Sequence, residues 1–179
     1  MKSLNNYIAE NLIIEKRRSM DYKYHPKTKK ELLKLIEQLI DERGYDGDFN
    51  DIDTSKITDM SELFYDLVNF NGDISQWDVS NVTNMSHMFY YCWNFDQDIS
   101  NWDVSKVTDM DCMFYKCLKF NQPLKDWDVS KVTNMIDMFY LCKKFDQDIS
   151  KWDVSNVEKS TAAFEKCRIR DQYQPKFPS

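Results

Sequence analysis

The side chains that could do chemistry in this chain fall into columns 25 residues apart. Cys92, Cys117, Cys142 and Cys167 share one column. Asp53, Asp78, Asp103, Asp128 and Asp153 share another, each followed two residues later by serine. Thiols could bridge or hold a metal, and stacked carboxylates could hold cations. Catalysis has less material. With only two histidines, His25 and His87, and three glycines, little is left for a histidine-based triad or a glycine-rich phosphate loop. The carboxylates recur in every unit, whereas acid–base chemistry needs one asymmetric pair. The expectation is a protein with no enzymatic activity and no cofactor.

These columns come from a repeated phrase. WDVSNVTNMSHMFYYC begins at Trp77 and returns as variants at Trp102, Trp127 and Trp152, and Ile52 opens a related version. Such a repeat implies a solenoid whose units bury their apolar faces only by stacking. Equivalent residues then sit about 4.8 Å apart. At that spacing the column cysteines point in parallel, and Leu67 holds the same position in the first unit. The column therefore reads as buried thiols. Disulfides or a metal site are the other readings, but no CxxC pair or nearby histidine supports a metal. Cys112, off the column, is expected to be partly exposed. The stacked aspartates would repel one another unless each accepts a backbone N–H in an Asx turn; a ladder of bound cations is the alternative.

Within a unit the apolar positions are Trp102, Val104, Val107, Met110, Met113, Phe114, Cys117, Phe120 and Leu124. Their steps of two to four fit neither helix nor strand throughout, as in a coil that turns corners. Residues 107–110 suggest a short strand stacking as a parallel ladder, and 111–118 one or two helical turns. A second short strand or extended corner is expected around 123–129. The expected fold class is an α/β repeat solenoid, leucine-rich-repeat-like, with short parallel strands and short helices per coil and an N-terminal helical cap.

That cap would comprise residues 1–44, the solenoid 45–170 with a partial leading repeat, and a C-terminal tail 171–179. Leu4, Tyr7, Ile8 and Leu12 suggest an amphipathic helix within 1–20. A second helix has a capping box from Thr28 to Glu31, an apolar stripe of Leu32, Leu35, Ile36, Leu39 and Ile40, and Gly44 past its end. Covering the open end of the core is one role for this pair, and a docking or targeting helix the other.

Net charge is −6 and unevenly spread: residues 1–44 hold 10 Lys/Arg against 7 Asp/Glu, and 45–179 hold 14 against 23. An acidic array repels phosphate backbones, so nucleic acid is not an expected partner. No stretch approaches the roughly 18 apolar residues of a membrane span. The first 20 residues lack the unbroken apolar centre of a secretion signal. The expected location is cytoplasmic, with a virion or non-classical export as the other reading.

Binding has better candidates. Tyr65, Tyr90, Tyr115 and Tyr140 form an aromatic column, and Tyr91, Trp93 and Leu118 lie at varying positions beside it. Exposed tyrosine and tryptophan commonly anchor protein interfaces, although these rings could instead pack between coils. A basic group, Lys119, Lys143, Lys144, Lys166, Arg168 and Arg170, is either a solvated face or a surface for an acidic partner.

The unit F-N/D-x-D-I-S-x-W-D-V-S-N/K-V-T-x-M-x-x-M-F-x-x-C resembles the repeats of BspA-type leucine-rich-repeat proteins over residues 45–170. Those occur mainly in bacterial surface proteins and lipoproteins. The resemblance implies a leucine-rich-repeat-like solenoid that binds other macromolecules, with no shared catalytic motif. No signal peptide, lipobox cysteine or wall anchor is expected to accompany it. The leading expectation is a non-enzymatic module that binds an unidentified protein. A surface or virion component for architecture or adhesion, able to self-associate, is the alternative, and a calcium-stabilised scaffold is a third.

Overall fold

The computed structural model describes residues 21–178. The expected helix within 1–20 lies outside them. The described helix, α1 (Lys29–Arg43), starts where Thr28 Oγ1 accepts the Glu31 N–H at 3.2 Å, and Glu31 reaches back to the Lys27 N–H at 2.7 Å. Gly44, at φ 77°, closes the other end by donating to Ile40 C=O. Leu32, Ile36 and Leu39 are buried and join one hydrophobic core with the coils that follow. Burying each is worth roughly 1.5–3 kcal/mol. Arg43 fixes the helix on the leading turn of the stack, pairing with both Asp51 carboxylate oxygens at 2.8 and 2.9 Å and donating to Asp48 C=O at 2.6 Å.

Beyond α1 the chain is a stack of 25-residue coils, but not the α/β solenoid expected from sequence. Among the described residues there is no strand, and the only other helix is a three-residue 3-10 turn, Asp171–Tyr173. Adjacent coils touch through isolated parallel bridges, Asp59 to Asn84, Asn84 to Asp109, Asp109 to Asn134 and Asn134 to Lys159. The expected strand at 107–110 is cut to one residue by turns on both sides. Val107 N–H closes a turn onto Val104 C=O, and Asp109 Oδ1 accepts the Asp111 N–H at 2.9 Å. Nor is there a strand at 123–129, where the chain turns its corner with Trp127 N–H on Leu124 C=O.

The expected helical turns at 111–118 are replaced by a different arrangement. Met110, Cys112, Phe114 and Lys116 donate their N–H groups to carbonyls of the next coil, at residues 134, 136, 138 and 140. Met113, Tyr115 and Cys117 instead close four-residue turns onto Met110, Cys112 and Phe114. Every amide from Met110 to Cys117 thus has a partner, the Asp109 carboxylate taking Asp111. In an α-helix all these amides would point along one axis. Alternation requires left-handed backbone at two positions per coil. They are Glu62, His87, Cys112, Asp137 and Ala162 in one column, and Asp66, Tyr91, Lys116, Leu141 and Lys166 in the other, with φ from 50° to 60°.

Side chains reinforce the stack. Phe64, Phe89, Phe114, Phe139 and Phe164 stack at 5.2–5.7 Å between ring centres. Phe70, Phe95, Phe120 and Phe145 stack beside them at 5.8–6.2 Å. Each buried tryptophan Nε1–H reaches back one coil, from Trp77 to Phe49 C=O and from Trp102 to Ile74 C=O. Cys92, Cys117 and Cys142 are buried free thiols, each donating to a phenylalanine carbonyl of the preceding coil at 3.0 Å. All five corner aspartates, Asp53 to Asp153, accept the serine N–H two residues on at 3.0–3.1 Å, the Asx turns expected from sequence. Gly72 is required in the first coil because a Cβ there would lie 2.4 Å from the Phe49 ring; later coils place Gln97, Gln122 and Gln147 at that position. At the far end the tail lies on the last coil, with Phe177 6.0 Å from Phe164 and Tyr173 C=O accepting the Ile149 N–H.

Two expectations follow. Glu62 is exposed and left-handed, so Glu62→Val should be less stable than Glu62→Gly by about 1–2 kcal/mol in urea unfolding. Equal stabilities would mean that the column is not left-handed in solution. The second concerns acid. The guanidinium of Arg43, hydrogen-bonded to Asp51, holds that carboxyl below its ordinary value against the opposing effect of burial. The pairing therefore contributes fully above the unfolded carboxyl value and is lost as pH falls through the lower folded one. Asp51→Asn should cost about 1 kcal/mol at pH 7, with the gap to wild type narrowing towards pH 3.

Candidate functional site

The face beside the left-handed columns carries the sequence candidates. Tyr65, Tyr90, Tyr115 and Tyr140 stack face to face, with centres 4.8, 4.7 and 4.8 Å apart and planes within 16° of parallel. Their spacing is the coil spacing, because each follows a core phenylalanine whose N–H bonds the next coil. Tyr65, at the open end, is 47 % exposed, whereas the other three are half-buried. Packing between coils and exposure to solvent are both realised in one column.

Tyr91 joins this column at its centre, 4.7 Å from Tyr90 and 5.7 Å from Tyr115. Lys116, one coil on, donates to Tyr91 Oη at 2.6 Å and lies 4.3 Å above that ring. Lys166 bonds Tyr140 Oη in the same manner at 2.7 Å, so part of the basic group belongs to the tyrosine column. Burial, with neighbouring Tyr91, Tyr115 and Tyr65, pushes the Tyr90 phenol up to about 12. The column offers hydroxyl groups together with ring faces.

Trp93 and Leu118 sit at the next corner, at equivalent positions of successive coils. Trp93 is 44 % exposed, is outside the ring stack, and is held by its backbone, with N–H to Tyr91 C=O and C=O accepting from Lys119. Leu118 is half-buried. A hollow lined by Tyr45, Asp46, Asn69, Asn71, Asn94 and Lys119 runs along the same edge and is almost wholly polar.

Sequence reasoning passed over one cluster. His87, Asp111 and Cys112 each bring a ligand atom within 4.8 Å of the others. His87 and Cys112 are 25 residues apart in the sequence, a separation that in this stack is one coil. His87 and Cys112 share the first left-handed column, and the His87 N–H bonds Asp111 C=O at 2.7 Å. Cys112, expected to be partly exposed, is only 9 % exposed.

The repeat also identifies the chain's relatives. A family described as "Mycoplasma protein of unknown function, DUF285" matches residues 34–135 and, in a second register, 72–177. The chain belongs to this family. The two DUF285 matches overlap because the sequence repeats, and together they span residues 34–177, from within helix α1 through the last coil. No curated protein and no solved structure matches the chain. Among the described residues, no helix is long and apolar enough to cross a membrane.

Because Trp93 is exposed and outside the ring stack, Trp93→Ala should leave the melting temperature within about 2 °C of wild type. Tyr115→Ala, which removes a ring stacked on both sides, should lower it several-fold further. Thermal unfolding followed by circular dichroism checks the order. A larger loss for Trp93 would place that ring in the core.

Proposed function

We propose that this DUF285 protein is a non-enzymatic repeat module that binds another protein through the tyrosine column and Trp93. The carrying observation is a column of stacked tyrosine rings exposed at Tyr65, with exposed Trp93 at the next corner, on a stack whose phenylalanines from Phe49 to Phe145 are buried. Rigid rings with hydroxyl tips bury much area at little entropic cost, which suits them to interface anchors. Lys116 and Lys166, held on tyrosine hydroxyls, place positive charge along an otherwise acidic array. A partner with an apolar patch edged by carboxylates would match that pattern.

The resemblance to BspA-type repeats favours a second reading, a surface component used in adhesion or architecture. It would draw on the same rings with a different partner. The calcium-scaffold reading has less support, because each corner aspartate already has an oxygen engaged by a serine N–H.

The test is affinity capture with the full chain as bait against lysate and surface extracts of the native source, comparing wild type with Tyr91→Ala/Trp93→Ala. The expected outcome is a protein retained by wild type and reduced about thirtyfold or more with the folded double variant. Equal retention would move the interface elsewhere, and no captured protein from either extract would overturn the binding reading.

A further inference from the structure

We propose that His87, Asp111 and Cys112 form a single binding site for a divalent transition metal of the zinc class. The three donors, an imidazole nitrogen, a carboxylate oxygen and a thiol sulfur, already lie within 4.8 Å of one another. Tetrahedral zinc with these ligands, at bonds of about 2.0–2.3 Å, places donors roughly 3.3–3.7 Å apart. Closing by about 1 Å is within the reach of side-chain rotation on a fixed backbone. That backbone is held between two coils by the His87 N–H to Asp111 C=O bond and by the Cys112 N–H to Ile136 C=O bond.

Charge argues for a cation at this place. Asp109, Asp111 and Asp137 all bear electrostatically on Cys112, and among the described residues none is in an ion pair with lysine or arginine. A bound dication takes the Cys112 sulfur as thiolate, releasing its proton to solvent. With one carboxylate and one thiolate, the filled site is locally neutral. The mixed N/O/S set favours zinc over calcium or magnesium, which take oxygen ligands.

The constellation occurs once in the stack. One coil earlier the equivalent residues are Glu62, Ser86 and His87; one coil later they are Cys112, Ile136 and Asp137; the last are Asp137, Thr161 and Ala162. Only the middle set offers nitrogen, oxygen and sulfur together. The site is therefore asymmetric although the scaffold is periodic, and it does not depend on the protein-binding reading.

The experiment is a titration of the full chain with cobalt(II), after chelation and reduction, read by absorbance. The expected result is one equivalent bound, with thiolate-to-cobalt charge-transfer absorption that zinc abolishes. Cys112→Ser should lose that band while the column thiols Cys92, Cys117, Cys142 and Cys167 remain. His87→Gln, at a half-buried position, should weaken cobalt binding by about tenfold or more. No stoichiometric band from wild type overturns the proposal, as does a band that persists in folded Cys112→Ser. Should that variant fail to fold, unchanged affinity in His87→Gln overturns it equally.

Discussion

Alternating use of backbone amides between one coil and the next is the constraint on which the molecule rests. From Met110 to Lys116, every second N–H crosses to a carbonyl of the next coil, while the amides from Met113 to Cys117 that lie between close local turns. A strand would send its bonds outward, and a helix would keep them all; this segment does both by turns. The cost is a left-handed residue twice per coil, at positions that hold no glycine. Left-handed backbone costs about 1 kcal/mol or more per residue. It persists because the inter-coil bonds and the phenylalanine stacks over-determine it. The 25-residue period follows, since one residue more or less would swap crossing amides for turn amides throughout the next coil.

The same alternation decides where chemistry can vary. Crossing amides belong to the core residues Met110 and Phe114 and to the two left-handed positions, Cys112 and Lys116. Core positions repeat almost unchanged, whereas the left-handed columns read Glu, His, Cys, Asp, Ala and Asp, Tyr, Lys, Leu, Lys. Side chains there vary from coil to coil, from exposed Glu62 to buried Cys112. The backbone holds each at a fixed step from the equivalent residue of the next coil. That is how a histidine and a cysteine 25 residues apart become neighbours, and how a lysine comes to rest on a tyrosine of the preceding coil.

A stack held in this way has two open ends, and different devices cover them. Helix α1 seats Leu32, Ile36 and Leu39 on the leading coil and is pinned by Arg43 on Asp51. At the other end Tyr173 and Phe177 of the tail lie against the last coil. There Met-Phe gives way to Ala163-Phe164, and Phe164 takes Phe177 as its outer neighbour. Both covers belong to one continuous core.

Helix α1, the repeat, its register and the inward residues were all legible from the amino-acid order, because capping chemistry and apolar recurrence are local or periodic properties. Thr28, Glu31 and Gly44 act as their types require, and the aspartate-serine corners close as Asx turns. The absence of strands and of helical turns was not legible. Met-x-x-Met-Phe-x-x-Cys has helical spacing, and only the carbonyls of a neighbouring coil draw alternate amides out of a helical path. The same holds for the His87, Asp111 and Cys112 cluster, whose members are neighbours across coils as well as along the chain. Sequence by itself determined the recurring apolar core and how often the pattern returns, since those follow from side-chain type and period, but not the burial of Cys112, which lies off the column. Tertiary structure alone decided the backbone path within each coil and the groups that meet across coils, because both depend on hydrogen bonds to a neighbour 24 or 25 residues away.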